Sequence, residues 1–378
     1  MNGNSAFELA KACIAKMPGR LDTCQKALDT LSESLVEMPR ETLISELEAA
    51  LRTMHSLNST LFLADWIGVH IAPESRERYQ ALASGFALVE AYVLGPVPAP
   101  PATLPAPANT EEMARMLATL PDTVRKSVFA GSLTLSAPEN AFVFRHAAKL
   151  CPPKELPAEP VFDTPTQVLA MARQFFTSGN TIGPFVRRLL DRGHVHFIDS
   201  GHLPAPASVV LEYGALPHLV IPFDNTILTL NHLSHHFGHS FHQYQTQNNH
   251  SPLAPLLADI DEAIPVLFEL RLEEKLAQTR PEMATALQAA RQADIDRYVT
   301  LYTAQMAALE TPESVAEIAS RYGVEAETLL SVNPPILPSY AYGALLAQAF
   351  SKAHGWNEAR ILELAKRGAT ARSADFLA

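Results

Sequence analysis

Leu230-Asn231-His232-Leu233-Ser234-His235-His236-Phe237-Gly238-His239-Ser240-Phe241-His242 holds five of the 14 histidines in a chain of 378 residues. Leu230, Leu233, Phe237 and Phe241 recur at helical spacing, which predicts an amphipathic helix from about Thr226 to Gln245, with Asp224 or Asn225 as its N-cap. His235 and His239 stand four residues apart. On a helix their rings share one face, one turn apart, so both imidazoles can reach one ion of the zinc type. A third ligand must come from another segment. Glu262 is the best candidate, because the next helical stretch, Pro252–Gln278, can return beside the histidines, with Pro265 marking a kink or a restart. The same residues also admit a plainer reading, a helix whose histidines are surface or hydrogen-bonded core groups.

Outward from this helix, the sequence reads as mainly helical with a few short strands. Val195–Ile198, Ser208–Glu212 and His218–Phe223 have β-branched residues and flanking Gly or Pro, the signature of strands. Thr164-Pro165 caps a helix over Gln167–Ser178, and another helical stretch lies near Thr110–Leu120. Thr311 to Asn333 reads as a helical hairpin turned at Gly323. Ile44, Leu47, Leu51, Met54 and Leu57 represent the helical periodicity of residues 5–94, a stack of amphipathic helices. The Pro/Ala-rich run Gly95–Thr110 disfavours helix and sheet, so residues 1–94 are expected as an N-terminal helical region, 95–110 as a linker, and 111–378 as the helical domain with the site.

Composition narrows the function classes. With 29 Lys+Arg against 40 Asp+Glu, the net charge of −11 argues against nucleic acid and anionic membranes as main partners. No apolar run approaches the roughly 20 residues of a membrane span, and residues 1–20 lack the apolar core of a signal peptide. Cys13, Cys24 and Cys151 are odd in number and without metal-ligand spacing. They read as reduced thiols of a cytoplasmic protein.

The histidine segment, HHFGHSFH here, resembles the HEFGHxxH metal helix of the oligoendopeptidase F and thimet oligopeptidase family of zinc metallopeptidases. The similarity extends over roughly residues 140 to 350. Phe185–Leu190 and Phe197-Ile198-Asp199 resemble the family's helix and the opening of its small sheet, and Pro217–Asp224 takes the place of the strand leading into the motif. Asp261-Glu262-Ala263 falls where the family has its third-ligand Glu, 27 residues after the first motif His. Glu269 matches a second family Glu, a partner for the ligands. Ser339-Tyr340-Ala341-Tyr342-Gly343 resembles the Tyr-Ala-Thr-Gly segment whose neighbourhood supplies oxyanion-steadying tyrosines, which gives Tyr340 and Tyr342 a catalytic part. The resemblance implies a zincin-like helical metallopeptidase core with a small β-sheet beside the metal-binding helix, and one divalent ion, zinc, on His235, His239 and Glu262; two histidines and a carboxylate also suit Fe(II). It also implies a peptide or small-molecule substrate met by His242 and Gly214. Members of that family are generally considerably longer, so it further implies a reduced helical outer half.

The sequence departs from the family pattern at the chemistry. The family's motif Glu is the general base that takes a proton from the attacking water, and His236 stands in its place. An imidazole can accept a proton, but it lacks the second oxygen that passes the proton to the leaving amine. The family's substrate-binding His before the tyrosine segment is also missing from Asn333–Pro338. Three readings follow: a metal-dependent enzyme diverged from peptide hydrolysis, with oxygen chemistry on iron included; an active peptidase in which His236, Asp259 or Asp261 is the base; and a non-catalytic protein that binds a peptide or partner.

Overall fold

A computed structural model describes residues 4–35, 38–94, 114–115, 118, 137–147, 159–201, 205–252, 261–329, 336–368, 371 and 375–376. In chain order its elements are α1 (Asn4–Ser34), α2 (Arg40–Trp66), α3 (Pro73–Leu94), α4 (Ala137–Phe144), α5 (Pro165–Phe176), α6 (Ile182–Asp191), β1 (Val195–Asp199), β2 (Ala207–Val209), β3 (His218–Phe223) and α7 (Ile227–Asn249). After these come α8 (Ala263–Thr279), α9 (Pro281–Glu310), a 3-10 turn (Pro312–Ser314), α10 (Val315–Tyr322), α11 (Ala326–Leu329), α12 (Ile336–His354) and α13 (Glu358–Arg367). The protein is mainly α with one small sheet, as its periodicities predict. The expected linker 95–110, Cys151 and Asp259 lie outside the described residues, as does most of the helix expected near Thr110–Leu120.

The elements form two compact units that alternate along the chain: α1–α3, α5, α6, the sheet, α7 and α13 in one, and α4 with α8–α12 in the other. Residues 1–94, expected as a region of their own, share a core with the sheet. Ala6, Ala10 and Cys13 of α1 pack with Leu63 and Ile67 of α2 and with Ile198, Ala207, Val209 and Val220 of the strands. The physical reason is that Ile198, Ala207, Val209 and Val220 form an apolar patch on the α1-facing side of the sheet, and that patch needs a cover. Farther along, Met17, Leu21, Cys24 and Leu31 meet Leu47, Met54 and Leu57 of α2 and Leu82, Phe86 and Val89 of α3.

The sheet order is β1-β3-β2, with β1 parallel to β3 and β2 antiparallel to it. β2 is shorter than the predicted Ser208–Glu212, because the chain turns at Gly214, whose φ of 78° suits a residue without a Cβ. Side chains alternate across the sheet, and Ser208 reaches the α7 side, where its hydroxyl meets Ser240 Oγ at 2.9 Å and donates to Gln243 Oε1 at 2.8 Å.

Between β3 and α7 the chain makes a tight corner. Thr226, not Asp224 or Asn225, is the N-cap, and its hydroxyl oxygen accepts from the Leu228 N–H at 3.1 Å. Asp224 braces it: one carboxylate oxygen accepts from the Thr226 N–H (3.0 Å), the Thr226 hydroxyl (2.9 Å) and the Thr229 hydroxyl (2.6 Å). Burial opposes ionisation of Asp224, but these three donors outweigh it and hold its pKa below the usual carboxylate range. Replacing Asp224 by Ala removes the brace and leaves the donors to water. The expected cost is about 1–2 kcal/mol of stability at pH 7, read from the urea midpoint. The difference from wild type should shrink as pH falls through the Asp224 pKa, since a depressed carboxylate pKa stabilises only above it.

Candidate metal centre

Phe237 and Phe241 fix the rotation of α7. Both are fully buried, Phe237 edge-on to Phe176 of α5 (5.8 Å) and Phe241 edge-on to Phe185 of α6 (5.3 Å). Each contributes about 1.5–3 kcal/mol by burial. With these rings inward, Leu228, Asn231, His232, His235, His239 and Gln243 form a stripe of intermediate exposure along the helix. His235 and His239 are therefore accessible where most of α7 is not.

Their Nε2 atoms lie 3.0 Å apart, with ring centroids at 4.7 Å and planes at 74°. Two nitrogens this close can both sit about 2.0–2.1 Å from one zinc-type ion. Centroids at 4.7 Å are too close for the two nitrogens to point straight at each other across 3.0 Å, so the rings meet at an angle.

Glu262 stands at the N-cap position of α8, and Pro265 falls in that helix's first turn, where a missing N–H costs nothing. Pro265 thus belongs to a helix start. Gly343 of α12 seats the Glu262 backbone: a Cβ there would meet Ala263 N at 2.9 Å and Glu262 Cβ at 3.0 Å. A glycine inside a helix costs roughly 1 kcal/mol relative to alanine, and the close approach of α12 to α8 is what it permits. In the sequence, the only trace of this approach is a glycine inside a helical run.

One ligand atom from each of His235, His239 and Glu262 lies within 4.8 Å of the other two, and among the described residues no other group of three His, Cys, Asp or Glu does so. Two imidazole nitrogens and a carboxylate oxygen make a donor set that suits zinc or iron(II).

His236 is buried, with centroids 5.3 Å from both His235 and His239. Among the described residues its Nδ1 has no hydrogen-bond partner. Burial, reinforced by the neighbouring histidines His239, His235 and His232, drives its pKa well below 6.5. His236 is a neutral ring and a weak base, which is a poor substitute for a carboxylate that collects and hands on a proton.

The remaining expected residues are distributed along both units. Glu269 is buried on α8, on the same face as Glu262 and one turn before Glu273. Glu273 takes a bidentate ion pair from Arg291 of α9, at 2.6 and 2.9 Å. Tyr340 of α12 packs against Tyr298 with ring centroids 4.5 Å apart and planes tilted by 48°, and burial, then Glu269 and Glu262, push its pKa well above 10. It is a phenol at neutral pH and a hydrogen-bond donor. Tyr342, two residues on and so on a different side of α12, donates to Glu139 Oε1 at 3.3 Å. His242 is buried on α7. Gly214 binds Gln247 through its N–H (2.9 Å) and Asn248 through its carbonyl (3.0 Å). Those partners lie roughly 12 Å along the helix from His239, so the structure does not bring Gly214 to the histidine pair. The seam they belong to is not legible in the sequence: Arg291, Asp294 and Tyr298 share a face of α9 at i, i+3, i+7 spacing, but Glu273, the partner of Arg291, comes from α8, which no spacing within α9 reveals.

No family model matches the chain, and no curated protein does. Solved structures similar to it include a protein assigned as oligoendopeptidase F from Bacillus anthracis str. Ames, at 14% identity over 98% of this chain and 75% of that one, with a TM-score of 0.46. PZ peptidase A with an inhibitor matches at 15% identity over 98% and 78%, with a TM-score of 0.44. A protein assigned as a peptidase from Chlamydophila abortus matches at 12% identity over 97% and 69%, with a TM-score of 0.43.

Gly343→Ala should push the start of α8 away from α12. The expected result is a loss of about 1–3 kcal/mol in stability together with weaker zinc binding, measured by denaturation and by titration calorimetry on the same preparation. Unchanged zinc affinity would show that Glu262 does not depend on that contact.

Proposed function

We propose that this chain holds one divalent transition-metal ion on His235, His239 and Glu262 and is a metal-dependent enzyme diverged from ordinary peptide hydrolysis. The observation that carries the reading is the grouping of these three ligand atoms within 4.8 Å beside a buried, neutral His236. When bound, zinc supplies Lewis-acid polarisation, and iron(II) a redox centre as well. The residues around it do the rest. Tyr340, held in its phenol form, donates a hydrogen bond to negative charge developing on a substrate oxygen. Glu269 steadies the Glu262 side of α8. His236 fills its place without accepting a proton, and this disfavours turnover of an unactivated amide.

The substrate in this reading is a peptide or a small molecule, met by His242 and, farther along α7, by the Gly214 turn. The acidic balance of the chain weighs against nucleic acid. Among the described residues no helix is long and apolar enough to cross a membrane.

Elemental analysis of untagged protein should find about one zinc or iron per chain, lost in His235→Ala and in Glu262→Ala. Failure to retain either metal, even after reconstitution, would sink the proposal. A peptide library should be left intact by the wild type and cut by His236→Glu, which restores the carboxylate. Efficient cleavage by the wild type, abolished in His235→Ala, would instead mean a working peptidase. Iron with oxygen-dependent absorption changes would select the redox form.

A further inference from the structure

Three histidines on the α1-facing side of the sheet take no part in the metal centre. His194 precedes β1, His196 lies within it and His218 opens β3. The parallel register sets Val195 against Leu219, which places residues 194, 196 and 218 on one face. His194 stacks on His218 with centroids 4.1 Å apart and planes only 11° apart, and its Nδ1 donates to the Pro217 carbonyl at 2.9 Å.

His196 Nε2 is 3.0 Å from His218 Nδ1. The nitrogen separation equals that of the His235/His239 pair, but here the centroids are 5.3 Å apart and the planes differ by 22°. That is as far apart as rings in such contact can be, so the two nitrogens point straight at each other. The contact holds one proton, with one ring donating and the other accepting. At its other ring nitrogen, His196 Nδ1 lies 2.9 Å from the hydroxyl of Ser5 in the first turn of α1. A hydroxyl can donate or accept, so both tautomers of the pair are satisfied.

We propose that Ser5, His196 and His218, with His194 stacked beside them, form a proton-operated latch. It holds the first turn of α1 on the β1/β3 edge while the paired rings are neutral and releases it when both are protonated. With two imidazolium rings, N–H would face N–H at 3.0 Å, and His218 would carry its charge against the His194 ring. No carboxylate among the described residues pairs with these rings to offset this. Among the described residues of α1, Glu8 and Lys11 pair with each other at 2.9 Å and Arg20 pairs with Glu212 at 3.3 Å. α2 brings Leu63 and Ile67 to this patch and its Asp65 pairs with Arg76, while β2 contributes Ala207 and Val209.

Burial, then the neighbouring His194, push His196 down to about 4, and burial with His194 and His196 pushes His218 down to about 3. The released rings titrate near the ordinary value of about 6.5. The closed latch binds fewer protons than the open one, so its stability is fully present above about 6.5 and is lost as pH falls toward 4.

Hydrogen exchange on the full chain, corrected for intrinsic rates, tests this between about pH 7 and 5. Peptides spanning 4–12, 195–199 and 218–223 should lose protection by more than about tenfold, while 281–310 keeps it. His218→Asn presents an amide at the Nδ1 position without a titrating group and should reduce that pH dependence to the part carried by His196 alone. A flat wild-type profile, or the same dependence in His218→Asn, would overturn the latch. Should that variant not fold, imidazole nitrogen NMR of the wild type decides: rings 196 and 218 still neutral at about pH 5.5 support it, and titration of both at about 6.5 refutes it.

Discussion

A helix that carries polar rings through apolar surroundings must reserve one side for them, and α7 does so. Ile227, Leu230, Leu233, Phe237 and Phe241 are each buried to within 2% of completely. Turning the helix by one residue would expose two phenylalanines and bury the two ligand histidines without partners, a change of several kcal/mol. The rotation is therefore set by carbon, not by a metal. The corner at Asp224 and Thr226 fixes the start of the helix, and the phenylalanines on α5 and α6 fix its azimuth, so the His235/His239 face exists before any ligand arrives. A preformed pair loses little conformational entropy on binding.

Much of this was readable in the chain. The spacing of Leu230, Leu233, Phe237 and Phe241 fixed helix type and face, and strands β1 and β3 were marked by β-branched residues between turns. What could not be read was tertiary. Thr226 became the N-cap because Asp224 finds three donors only once the corner has formed. Residues 1–94 share a core with the sheet because an apolar patch of that sheet needs a cover, a demand that periodicity within 1–94 does not express. Of the proposed site, the i, i+4 pair and Glu262 were visible as residue types at spacings. The burial that neutralises His236 was not, since it arises from side chains distant in sequence.

The polar seam of α8, α9 and α12 shows how a helical core accommodates charge. Glu273 and Arg291 are both about nine-tenths buried and bonded through two parallel contacts. A buried pair of this kind adds little net stability over apolar packing but is costly to break. It penalises sliding of α8 against α9, because any shift separates the fork from its carboxylate. Glu262, on the same face of α8, inherits that register.

α13 returns to the unit that holds α1. The Glu358 carboxylate at the head of α13 accepts from the backbone N–H groups of Thr181 and Ile182 at 2.9 and 3.2 Å, closing the exposed start of α6. It occupies the space a side chain on Gly179 would take. At the other end His250 meets the Lys366 carbonyl at 2.6 Å. During synthesis the histidine helix is thus complete more than a hundred residues before the segment that braces α6 and the C-terminal end of α7 has been made. A ribosome-bound chain would carry the histidine pair on a unit still lacking this strut, and rigid ligand geometry becomes available only once α13 has been made.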